Sequence, residues 1–142
     1  MTFYFPSKAP CSLWKNIHFA DNFLMYQPCS VVALNCALKD MGLGSEEWLD
    51  DFATYIQPKE NGYVSLNDFH KAIKHFFPNA KKIYFPKKDR ETLVDNQAQY
   101  GAFTNRKAIV CCLGHYIYVN HNTYYSYFNN DDDLVVAIWF LD

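Results

Sequence analysis

The hydrophobic period changes partway along this chain, and that change limits the folds open to it. Between residues 29 and 77 the apolar residues recur at helical spacing. From residue 107 onward they come in short β-rich runs, "KAIVCCLG", "HYIYVN", "TYYSYF" and "LVVAIWFL", separated by "G", "HN" and "NNDDD". Helices first and strands last do not alternate as a parallel βαβ sheet requires. They predict an α+β domain in which early helices pack on a late antiparallel sheet. The chain's 142 residues are one domain's worth, with no internal repeat or linker to divide residues 1–142.

The helical part predicts three main helices. From Cys29 to about Met41 apolar residues cover most of a helix's circumference, which suits a central helix packed on several sides, and Gly42 and Gly44 end it. "SEEWLDDFATYI" predicts a second, with Ser45 as N-cap and Trp48, Leu49, Phe52 and Ile56 as its stripe. A third follows Ser65 and Asp68, which resemble a capping box, turns Leu66, Phe69, Ile73 and Phe76 inward, and stops at Pro78. "KKIYF" reads as a short strand and "DRETLVDNQAQYG" as a weaker helix. The first 25 residues, rich in Pro and aromatics, read as irregular.

Charge and composition exclude several classes. With 13 Lys+Arg against 15 Asp+Glu the chain carries no basic nucleic-acid footprint. Its start lacks a basic segment leading into a long apolar core, and no apolar run approaches the roughly 20 residues of a membrane helix. A cytoplasmic protein is expected. The cysteines Cys11, Cys29, Cys36, Cys111 and Cys112 are odd in number and form no C-x-x-C pair, so free thiols are expected. Cys111 and Cys112 are adjacent on a strand and point to opposite faces, which argues against a zinc site. No metal or organic cofactor is implied.

Cys29 is the residue with chemical potential. It follows Tyr-Gln-Pro and opens the apolar helix, where unpaired N–H groups and the helix dipole favour negative charge and hence the thiolate. Pro28 holds Gln27 extended and lets the helix begin at once. The plain alternative is a small buried hydrophobe, the usual role of a free cysteine. A thiolate nucleophile needs a base, and His115 is placed for it, opening a strand after Gly114 at the rim of the sheet. His18, His70, His75 and His121 read as surface residues. An orienting partner for the imidazole is sought where the next strand returns, in "NNDDD". Asn129 counts closest, with Asn130 and Asp131 as alternative registers.

The order Cys29, His115, Asn129 resembles the papain-like cysteine peptidases, in which the cysteine heads the central helix and histidine and Asn/Asp lie on adjacent strands. "QPCSVVALNCALKDMG" is similar to the helix of the compact bacteriocin-processing peptidases, and "KAIVCCLGHYIYVNHNTYYSYFNN" to their strand–Gly–His–strand–turn–strand–Asx segment. The viral leader proteases are similar in brevity. The resemblance covers roughly residues 22 to 140. It implies a thiol hydrolase acting on a protein or peptide substrate, through a catalytic triad of Cys29, His115 and Asn129. With one extra residue in the preceding loop, Asn22 supplies the oxyanion donor. The composition fits a compact viral, phage or bacterial protein. Two alternatives keep the fold: amide or acyl-transfer chemistry such as deamidation, and a non-catalytic protein-binding module using the hairpin tyrosines Tyr116, Tyr118, Tyr124, Tyr125 and Tyr127.

Overall fold

The computed structural model describes residues 2–4, 29–43, 64–100, 106–113, 115–120, 123–125 and 132–142. In chain order these form β1 (Thr2–Tyr4), α1 (Cys29–Asp40), α2 (Leu66–Phe76), β2 (Lys81–Tyr84), a 3-10 turn (Lys87–Asp89) and α3 (Leu93–Tyr100). Four strands follow: β3 (Lys107–Cys112), β4 (His115–Asn120), β5 (Thr123–Tyr125) and β6 (Val135–Phe140). The strands make one six-stranded sheet in the order β1-β5-β4-β3-β6-β2. Neighbours are antiparallel except β1 and β5, which run parallel. The fold is α+β, as the change of period predicts. The helix expected over residues 45–56 lies outside the described residues.

One expectation is corrected at the chain's start. Residues 2–4 are not irregular: Thr2, Phe3 and Tyr4 pair with Thr123, Tyr124 and Tyr125. Three strand-favouring residues cover what would otherwise be the open side of β5.

Local chemistry sets the helix ends. At the start of α2 the Ser65 Oγ accepts the Asp68 N–H at 3.2 Å, and Ser65 itself is extended. At the end of α1, Gly42 takes φ +70°, a left-handed conformation that costs glycine little. That turn lets the Leu43 N–H reach the Leu38 carbonyl at 2.8 Å and the Gly42 N–H reach Lys39 at 3.1 Å, the paired bonds of a Schellman cap.

Strand alternation gives the sheet two different faces. Ile109, Cys111, Tyr116, Tyr118, Ala137 and Trp139 face the helices, packed with Ala33, Leu34 and Ala37 of α1 and Phe69 and Ile73 of α2. The other face presents Ala108, Val110, Cys112, Ile117, Val119 and Ile138, covered by Phe85 and Leu93. Cys111 and Cys112 thus belong to opposite faces, as adjacent strand residues must.

Candidate functional site

Cys29 is the first residue of α1, so its backbone lies among the N–H groups that have no partner within the helix. The far end of α1 is tied to the sheet. One carboxylate oxygen of Asp40 accepts the Tyr118 hydroxyl at 2.6 Å and the Asn120 amide at 2.5 Å. Between these ends α1 packs on β4 and, to a smaller extent, on β3. At about 1.5 Å per residue, α1 rises roughly 16 Å from Cys29 to Asp40. At about 3.4 Å per residue, β4 extends roughly 17 Å from His115 to Asn120. The two lengths match and their C-terminal ends are bonded together. The side chain of Cys29 lies outside what the structure describes.

His115 opens β4 opposite Cys112 and is partly buried. Burial lowers its pKa below the ordinary histidine value, and the Asp133 carboxylate acts in the opposite direction. Asp133 was not expected here. The sequence count followed the β4–β5 hairpin, but the chain also returns to this rim on the other side of β3. Cys112 is the cross-strand partner of both His115 and Val135, so Asp133, two residues before Val135, sits at the same end of the sheet. Its carbonyl accepts the Leu93 N–H at 2.9 Å, which fixes the backbone there. The third member proposed from sequence, Asn129, its alternatives Asn130 and Asp131, and the oxyanion donor Asn22 all lie outside the described residues.

Alternation adds a constraint. Tyr116 and Tyr118 lie on the face that α1 covers, while Ile117 and Val119 lie on the other. His115 has the parity of the second group. His115 therefore falls on the face of the sheet that α1 does not cover.

The remaining cysteines of the described residues are poor nucleophiles. Burial pushes the Cys36 thiol up to about 12, with smaller opposing effects of Lys39, which lowers it, and Asp40, which raises it. Cys111 and Cys112 are buried and form no disulfide, and the Cys111 thiol donates to the Cys112 carbonyl at 3.4 Å. Two tyrosines of the proposed binding hairpin, Tyr116 and Tyr118, are core residues, 2% and 0% exposed. The Tyr116 hydroxyl donates to the Val64 carbonyl at 2.9 Å. Tyr124 and Tyr125 are described only as backbone of β5, and Tyr127 lies outside the described residues.

His70 also departs from expectation. It is not simply a surface residue: its Nδ1 accepts the indole N–H of the fully buried Trp139 at 2.9 Å. Burial, then Lys82 and Lys74, lowers its pKa. The sequence carries no signal for this bond, since the two residues are 69 positions apart. His75 is exposed with its ring against Phe76. His18 and His121 lie outside the described residues.

Among the described residues no group of three or more His, Cys, Asp or Glu side chains is arranged to hold a metal ion. No described helix is long and apolar enough to cross a membrane. Comparisons were made with models of protein families, with curated proteins and with solved structures. None of them matches this chain. The reading of function therefore rests on the residues themselves.

Proposed function

We propose that this protein is a papain-like thiol hydrolase, in the simplest case a cytoplasmic cysteine peptidase that cleaves a peptide or isopeptide bond. One observation supports the reading: α1 begins at Cys29 and packs on β4, and its other end is tied through Asp40 to Tyr118 and Asn120, at the end of β4 opposite His115. In this mechanism His115 takes the thiol proton as the Cys29 sulfur attacks the carbonyl carbon. The tetrahedral intermediate collapses to a thioester, and His115 returns the proton to the leaving amine. Water, deprotonated by His115, then attacks the thioester, releasing the acid and the thiol. The Cys29 N–H and Asn22 stabilise the oxyanion. Asn129, or Asp133 from the other side of β3, orients the imidazole.

The test is alkylation by iodoacetamide near neutral pH with mass-spectrometric site assignment. Cys29 is expected to react at least about tenfold faster than Cys36, whose thiol is pushed up to about 12. His115→Ala should bring Cys29 to the rate of an ordinary thiol. Fastest labelling at Cys11 or Cys112, or a Cys29 rate unchanged by His115→Ala, overturns the proposal. Activity-based probes carrying peptide, ubiquitin-like and amide acceptors then separate proteolysis from isopeptide cleavage, deamidation and acyl transfer.

A second reading, a non-catalytic binding module on the same fold, is favoured by the parity of His115, which assigns it to the face that α1 does not cover. It is preferred if Cys29→Ala leaves every cellular effect intact.

A further inference from the structure

Strand β2 is the outermost strand at one side of the sheet among the described strands, with β6 as its neighbour. Its ladder pairs Lys82 with Trp139, Ile83 with Ile138 and Tyr84 with Ala137. The Phe85 N–H donates to the Val136 carbonyl at 2.8 Å, which makes 85 with 136, and 83 with 138, the hydrogen-bonded pairs of this antiparallel ladder. The main-chain N–H and C=O groups of Lys82 and Tyr84 therefore point away from β6, toward the side on which no described strand lies. Ile83 and Tyr84 are 43% and 51% exposed. Two outward donors alternating with two outward acceptors are a template for another strand.

The edge also carries an excess of positive charge. Residues 81–90 hold Lys81, Lys82, Lys87, Lys88 and Arg90 against a single acid, Asp89, in a chain whose net charge is −2. These cations are partly held in place. The Lys82 ammonium and the Arg90 guanidinium each lie 5.9 Å from the centroid of the Tyr84 ring. Arg90 donates to the Phe85 carbonyl at 3.0 Å and to the Tyr84 hydroxyl at 3.2 Å. Beside them a depression of about 490 Å³ is bordered by Tyr84, Pro86, Lys88 and Arg90, with the carboxylates of Asp89 and Glu91 also in its lining.

Lysines on an edge strand ordinarily guard it against pairing, but the guard depends on sign. A basic or apolar strand is repelled or left with uncovered charge, whereas an acidic strand is drawn in and its carboxylates are matched. A nucleic-acid backbone would satisfy the lysines yet offers no donor in register with the outward carbonyls of Lys82 and Tyr84. We infer that the β2 edge is a strand-addition site for an acidic, extended segment of a partner polypeptide. It pairs its backbone with Lys82 and Tyr84 and lays alternate carboxylates beside Lys82 and Arg90. This surface is independent of any role of Cys29.

The test is fluorescence anisotropy with a fluorescein-labelled decapeptide of alternating Glu and Thr, titrated with the full chain at about 0.1 M salt. Saturable binding is expected. Lys82→Gln removes the charge alone and should weaken binding a few-fold. Lys82→Pro also removes the outward N–H, at a position where an edge strand tolerates proline, and should weaken it about tenfold further, the size of one hydrogen bond. The same peptide N-methylated at alternate residues should lose binding to the unaltered protein, a result that stands even if Lys82→Pro fails to fold. Absence of binding overturns the inference. So does unimpaired binding of the N-methylated peptide, or equally tight binding of a single-stranded oligonucleotide of the same charge.

Discussion

The two faces of the central strands do different work. The helix-covered face is aromatic and joined by directional bonds: Tyr116 to the Val64 carbonyl, Tyr118 to Asp40, Trp139 to His70. The other face is mainly aliphatic, built from Ala108, Val110, Ile117, Val119 and Ile138, with Phe140 at one side and Phe85 among the residues that cover it. Aliphatic packing excludes water but tolerates small shifts, because dispersion contacts have no preferred direction. A hydroxyl bonded to a particular carboxylate does not tolerate them. The difference teaches why the candidate site is built where it is. The end of α1 is held on β4 by a polar tie at Asp40, and the proposed function depends on that tie setting where the helix begins.

Breaking the aromatic face at its centre should have the largest effect. Trp139 is fully buried, its ring 5.7 Å from Phe69 and 6.4 Å from Tyr116. Trp139→Ala is expected to cost about 3–5 kcal/mol in denaturant unfolding, and to release the His70 Nδ1 for titration, visible by NMR. A loss under about 1 kcal/mol would show that the two faces do not differ as described. Next comes Tyr116→Phe, which leaves the Val64 carbonyl without its hydroxyl donor, at about 1–3 kcal/mol. On the aliphatic face Ile117→Val, which removes one methyl, should cost about 0.5–1.5 kcal/mol. Near-equal losses for the last two would erase the distinction between directional and non-directional packing.

Tyr118→Phe is a finer probe. Asn120 still donates to Asp40, so a loss of about 1 kcal/mol is expected, with the helix held in place and the alkylation rate of Cys29 little changed. A large rate change without further loss of stability would mean that the Asp40 tie sets the position of the site more strictly than the packing does.

The smallest effect is the pH dependence. His70 and His115 both have pKa values lowered by burial, so the unfolded chain binds protons more readily than the folded one. Their contribution is present above the unfolded value of about 6.5 and is lost as pH falls from there through the lowered folded values. Melting temperature should decline across that acid window, and His115→Gln should flatten part of the slope. An unchanged slope would mean that burial does not hold His115 neutral.

Much of the fold was legible beforehand because it follows from short-range chemistry. Helical spacing, the Ser65 cap, the glycine that ends α1 and the strand alternation that parts Cys111 from Cys112 all act within a few residues. Cys29 at a helix start and His115 at a strand start were legible for the same reason. What lay beyond reach was contact between distant elements. The bond between His70 and Trp139 and the approach of Asp133 to the His115 rim carry no local mark. Both depend on which strand lies beside which.

The sequence by itself determined the kinds of element, their order and the residues at their ends, since each depends on neighbours a turn or a pleat away. Only the tertiary structure decided the strand order β1-β5-β4-β3-β6-β2, the exposed basic edge of β2 and the face on which each side chain falls. Those depend on burying two faces of one sheet at once, a condition no single segment can express.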